Sequence, residues 1–155
     1  MMEQYKKRVC AVSMCLLGEP CRFDGSAKKA SCAAWLDQDL EVVGVCPEIA
    51  AGLGIPRDPC EIVDGDGADV LNGKARVIDI NGNDKTQDYI RGAEICAELC
   101  RKQGVTQAYL KSKSPECGVG RIYDGCFNRT LVPGDGIFAT LLKRMGVEVH
   151  ETDAQ

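Results

Sequence analysis

Three cysteines stand where an α/β protein gathers its chemistry. Cys15, Cys46 and Cys117 each fall in a loop directly after an apolar, strand-like run. In open α/β sheets, ligands collect beyond the carboxyl ends of strands, so three such loops converge on one crevice. Each cysteine has a polar neighbour suited to proton handling: Asp24 follows Cys15, Glu48 follows Cys46 and Ser114 precedes Cys117. Convergent thiolates can bind zinc or an iron–sulfur cluster, and spacing does not choose between them. No Cys-x-x-Cys pair is present, which argues against a zinc ribbon or a ferredoxin-like run. The residues alone leave a third reading open, that of buried cysteines acting as small hydrophobes.

The elements that must position these groups are read from apolar patterning. Arg8–Met14 and Glu41–Val45 are apolar on both faces, as strands covered on both sides of a sheet are. Val105–Leu110 is the third core strand and Val147–Val149 a short last one. Helices are expected over Ser26–Asp37, from a Thr86 cap to just before Gly104, and over Gly136–Arg144. Pro47–Pro59 is expected as an irregular loop or short turns, Lys111–Gly125 as a loop, and Ala68–Leu71 with Lys74–Ile80 as a hairpin about Asn72-Gly73. The alternation of strands and helices predicts one α/β domain over residues 1–155, three-layered and Rossmann-like with a mostly parallel sheet.

Composition narrows the function classes. At 155 residues, 45% hydrophobic and 27% charged, the chain can bury an ordinary core without disulfide staples. Its ten cysteines therefore point to a reduced, cytoplasmic setting. Lys6, Lys7 and Arg8 before Val9–Leu17 imitate a signal peptide, but Gly18-Glu19-Pro20-Cys21-Arg22 is a poor cleavage site. No run reaches transmembrane length, and a net charge of -4 gives no support for a nucleic-acid polymer as partner. Glycine-rich segments match neither a P-loop nor a complete dinucleotide fingerprint, so neither ATP nor NAD is required.

A series of spaced motifs adds to this reading. Ser13-Met14-Cys15-Leu16-Leu17-Gly18, Cys21-Arg22-Phe23-Asp24-Gly25, Cys46-Pro47-Glu48 and Ser114-Pro115-Glu116-Cys117-Gly118 occur in order. Together with Ile55-Pro56-Arg57-Asp58-Pro59, Ile122-Tyr123-Asp124-Gly125 and Val132-Pro133-Gly134-Asp135-Gly136, they resemble the thiouracil desulfidase family over nearly the whole chain. The resemblance implies a [4Fe-4S] cluster on three cysteines with one iron open to the substrate sulfur. It assigns the ligand roles to Cys15, Cys46 and Cys117, with Cys21 the main rival. It further implies non-redox desulfuration of a small thiolated pyrimidine, 2-thiouracil, 4-thiouracil or a nucleoside or nucleotide of them, to the oxo pyrimidine and hydrogen sulfide.

Within that chemistry Glu48 is the first candidate for proton transfer, Ser114 for orienting water, and Asp24 for a second base. The plain alternatives are a loop salt bridge, a Ser-Pro loop and an Asp-Gly turn. Arg57 and Lys111 are candidates for a pyrimidine carbonyl or a phosphate, or are simply solvated. Cys10, Cys32, Cys96 and Cys100 are expected to be buried, while Cys60 and Cys126 fall outside the pattern as incidental or redox-sensitive thiols. His150, the sole histidine, is expected near an exposed terminus, which weakens any Cys-His nucleophile pair. A non-catalytic iron–sulfur redox or sensing protein and a structural zinc domain are the competing classes.

Overall fold

The computed structural model describes residues 8–17 and 40–152. Four parallel strands form its centre: β1 (Arg8–Ser13), β2 (Leu40–Val45), β5 (Gln107–Lys111) and β8 (Glu148–Thr152), in the order β2-β1-β5-β8. Cys10, Ala11 and Val12 are all fully buried, so β1 is enclosed on both faces as its unbroken apolar run predicts. Ala11 joins one apolar cluster with Val45, Ala108 and Leu110. Cys10 and Val12 join a second with Cys15, Leu16 and Cys46.

Helix α3 (Thr86–Gln103) and helix α4 (Ile137–Arg144) pack on the first of these faces. Tyr89, Ala93, Cys96, Ala97 and Cys100 recur at helical spacing along the buried side of α3. Gly104, at φ 71°, ends α3 in the left-handed conformation. Ile137, Phe138 and Leu142 of α4 are completely buried, and truncating a ring such as Phe138 to alanine costs about 3–5 kcal/mol. The chain is thus an α/β fold with a central parallel sheet flanked by helices. The helix expected over Ser26–Asp37 lies outside the described residues.

Several expectations are corrected. The segment expected as a hairpin about Asn72-Gly73 is a short helix, α2 (Gly67–Leu71), followed by a strand, β4 (Arg76–Asp79). The reason is a reciprocal cap: Asp69 N–H donates to Asp66 Oδ1 at 3.1 Å and Asp66 N–H to Asp69 Oδ2 at 3.0 Å. Gly73, at φ 76°, ends the helix instead of turning a hairpin. The true partner of β4 is β3 (Cys60–Val63), antiparallel to it. Thr86 does not cap α3 but is its first residue; Asp84 Oδ1 accepts from both its amide and its hydroxyl. The irregular loop or short turns expected from Pro47 to Pro59 open, in keeping with that expectation, with a one-turn helix, α1 (Pro47–Ala50), since proline suits a first helical position. The segment expected as a loop from Lys111 to Gly125 contains β6 (Arg121–Tyr123), paired antiparallel with β7 (Leu131–Pro133).

Candidate functional site

The register of the parallel strands builds the site. Ser13 of β1 lies beside Val45 of β2, and β5 runs in step on the other side of β1. The three chains therefore leave the sheet together, and Cys15, Cys46 and Ser112 follow at one rim. They open into a cavity of about 480 Å³ that is also lined by Glu48, Arg57, Lys111, Ser114 and Cys117. The structure thus gathers seven of the eight residues singled out from the sequence. Asp24, the eighth, lies outside the described residues, as does Cys21.

Cys46, Glu48 and Cys117 are each placed by an identifiable local device. Cys46 precedes α1, which seats against α3 because Gly92 has no side chain: a Cβ there would strike the Pro47 carbonyl. That close approach fixes Glu48, whose Oε2 lies 3.5 Å from Cys46 Sγ. Cys117 sits in a turn organised by Ser114, whose Oγ accepts from the amides of Glu116 and Cys117, both at 3.0 Å. The turn is then stitched to the start of α4. Gly136 N–H donates to Gly118 O (2.8 Å), Ile137 N–H to Pro115 O (2.8 Å) and Ala139 N–H to Glu116 O (3.1 Å). These carbonyls satisfy amides that a helix start leaves without partners. The plain reading of Ser114 as a loop former is therefore correct as far as it goes, and it coexists with a place on the cavity wall.

The thiols of the cavity floor are nearly buried. Cys15, Cys46 and Cys117 are 5%, 8% and 5% exposed. Burial pushes the Cys117 thiol well above its ordinary range; Glu48 adds to this, while the Ser13 hydroxyl opposes it. Such a thiol ionises readily only against a cation, which is what a metal centre provides. Among the described residues no three His, Cys, Asp or Glu side chains close on one point as ligands of a single metal ion. Three thiols opening on one cavity from three segments instead suit a polynuclear centre, in which each thiolate holds its own metal atom. The donor set fits an iron–sulfur cluster better than a structural zinc.

The mouth is cationic. Arg57 Nη1 lies 3.5 Å from Gly54 O, and Lys111 Nζ donates to Ser112 O at 3.2 Å. Sequence reasoning missed Lys113 and Arg129, which also line the cavity, and the rings of Tyr89, Tyr123 and Phe127. It placed Cys60 outside the pattern, yet the structure sets Cys60 in the cavity wall. Cys126 is exposed. His150 lies on β8 with its ring stacked on Tyr109, centroids 5.0 Å apart, and takes no part in the cavity.

Glu116 also escaped notice as a residue in its own right. It is fully buried behind the cavity, and neither carboxyl oxygen has a hydrogen-bond partner among the described residues. Burial pushes this carboxyl well above the usual range, with Glu48 and Cys46 adding to the effect and the nearby Phe138 amide opposing it.

Known proteins are similar to this chain. A solved structure described as a [4Fe-4S]-dependent thiouracil desulfidase, TudS, superposes with a TM-score of 0.80 at 39% sequence identity, over 94% of this chain and 91% of that one. An uncharacterized protein of Bacillus subtilis (strain 168), YbbK, is 38% identical over 138 residues, 89% of this chain and 91% of YbbK. The family model described as 2-thiouracil desulfurase matches residues 10–154, from the middle of β1 to beyond β8. With that match spanning all the segments that line the cavity, the chain belongs to the 2-thiouracil desulfurase family.

Proposed function

We propose that this protein is a cytoplasmic desulfidase that carries a [4Fe-4S] cluster on Cys15, Cys46 and Cys117 and removes sulfur from small thiolated pyrimidines. The substrates are 2-thiouracil, 4-thiouracil or their nucleosides and nucleotides, and the products are the oxo pyrimidine and hydrogen sulfide. The observation that carries this reading is the convergence of the three cysteines, Glu48 and Ser114 on one cavity. Family membership and the likeness to a [4Fe-4S]-dependent thiouracil desulfidase support it.

A cluster held by Cys15, Cys46 and Cys117 would supply a soft iron that no protein thiolate ligates, suited to binding a thiocarbonyl sulfur and polarising its carbon toward water. The chain's own residues supply the rest. Glu48, beside Cys46, takes the proton of the attacking water and returns it to the ring nitrogen or the departing sulfur. Ser114, its oxygen already accepting two amides, directs its O–H proton toward that water. Asp24 is assigned the supporting base. Arg57 and Lys111 face the carbonyl edge of the pyrimidine, or the phosphate when a nucleotide binds. No net electron transfer is required.

The test is anaerobic reconstitution with iron and sulfide, followed by incubation with 2-thiouracil and 4-thiouracil and measurement of uracil and released sulfide. Stoichiometric formation of both products from either base is expected. A fully loaded protein that converts neither base nor their nucleotides would overturn the catalytic reading.

A further inference from the structure

Among the described residues, four that are not glycine take a positive φ, and three of them line the cavity: Lys113 (68°), Phe127 (56°) and Arg129 (63°). A bulky residue such as phenylalanine seldom adopts this left-handed conformation, and it persists only where the surroundings impose it. At Phe127 the imposing group is visible. Glu61, on β3 and 8% exposed, reaches across to the loop joining β6 and β7. Its Oε1 accepts from Gly125 N–H at 3.0 Å and from Phe127 N–H at 3.2 Å. The loop is closed by further bonds: Asp124 N–H to Thr130 O (2.9 Å), Cys126 N–H to Asp124 Oδ1 (2.9 Å) and Thr130 N–H to Asn128 Oδ1 (3.1 Å).

A buried carboxylate committed to two amides of an exposed loop makes a rigid bracket between two small sheets, and what it presents to the cavity is a half-buried aromatic ring. Thiols and cations can hold the sulfur and the polar edge of a substrate. Neither presents a flat apolar surface to the ring itself, which an aromatic side chain does. We propose that Phe127 is the stacking platform for the pyrimidine ring and that Glu61 is a positioning residue that holds it in place through the loop backbone. The proposal rests on the desulfidase reading for the identity of the ring, and on the bracket for its place.

The test compares cluster-loaded wild type with Phe127→Leu, Phe127→Tyr, Glu61→Leu and Glu61→Gln. It measures iron content, steady-state turnover of 4-thiouracil, and binding of uracil by equilibrium dialysis. Phe127→Leu is expected to raise KM and weaken uracil binding roughly tenfold, the loss of about one base–aromatic stack, with kcat and iron content little changed. Phe127→Tyr keeps a ring and stays close to wild type. Glu61→Leu reproduces the KM effect, Glu61→Gln keeps a carbonyl oxygen for both amides and largely restores it, and Glu61→Leu adds little on top of Phe127→Leu. An unchanged KM and unchanged uracil binding in Phe127→Leu would overturn the platform even if Glu61→Leu failed to fold. If wild type turned over no thiouracil, the desulfidase reading would fall, whereas weakened uracil binding in Phe127→Leu alone would still uphold the platform.

Discussion

The cavity has a floor and a mouth, and the two are built by different physics. The floor is made where parallel strands end, so Cys15 and Cys46 inherit their positions from a buried hydrogen-bond ladder, and Cys117 from amides of α4. The mouth is made by two antiparallel pairs and their loops, where Glu61, Asp124 and Asn128 hold the backbone by side-chain contacts. The floor is thiol-rich with little side-chain exposure, while the mouth is partly exposed and carries Arg57 and Arg129. A floor of this kind suits a group that must not dissociate; a mouth of this kind suits one that comes and goes.

The sharpest way to break that division is to remove a floor thiol. Cys15→Ala, Cys46→Ala and Cys117→Ala should each lose most of the reconstituted iron and with it the visible absorbance of the cluster, because three thiolates leave none to spare. Full iron in Cys117→Ala would remove it from the ligand set and bring Cys21 forward. Glu48→Gln occupies the same floor but holds no iron on this reading. Its turnover should fall by about 100-fold, the lower range for a lost acid–base group, at unchanged iron content. A Glu48→Gln protein that lost its iron would instead make Glu48 part of the cluster's support.

Glu116 tests the protein packed behind the floor. Among the described residues only the nearby Phe138 amide eases the burial of its carboxyl, and a buried polar group left short of partners costs about 1–3 kcal/mol. Glu116→Met keeps the unbranched length and removes both oxygens, so the urea midpoint should rise by an equivalent amount at an unchanged slope. A lower midpoint would mean that the carboxyl has a partner in the working protein.

The sequence made the floor legible and the mouth far less so, for a physical reason. A strand buried on both faces announces itself by an unbroken apolar run, as Val9–Val12 does, and the residue after such a run is placed by topology alone. Cys15 and Cys46 could thus be brought together without any knowledge of side-chain contacts. Phe127 could not. Its place depends on Glu61 reaching loop amides 64 and 66 positions away, a long-range contact with no local periodicity. Near Asn72-Gly73 a strong local hairpin signal lost to the Asp66–Asp69 cap, because a reciprocal pair of side-chain bonds starts a helix that the turn residues can equally well finish. Glu116 was quoted only as part of a motif; nothing in its sequence neighbours marks it as wholly enclosed.

The last prediction concerns thiols outside the proposed ligand set, where no effect on the cluster is expected. Burial pushes Cys100 up to about 11, and it sits fully enclosed on the sheet-facing side of α3. At pH 8 it is therefore almost entirely the unreactive thiol and reacts only when the helix opens. Cys126, on the mouth loop, is also raised, by the Asp124 charge foremost and by Glu61 further away, but it stands in solvent. Exposure decides between them. Iodoacetamide at pH 8 should modify Cys126 at least about 100-fold faster than Cys100, followed by peptide mass spectrometry, with labelling of Cys126 leaving iron content unchanged. Labelling of Cys100 at a comparable rate would show that the α3 face opens easily, and the contrast between a closed floor and an accessible mouth would then fail at its base. Loss of iron on modification of Cys126 alone would fail it from the other side, by coupling the mouth loop to retention of the cluster.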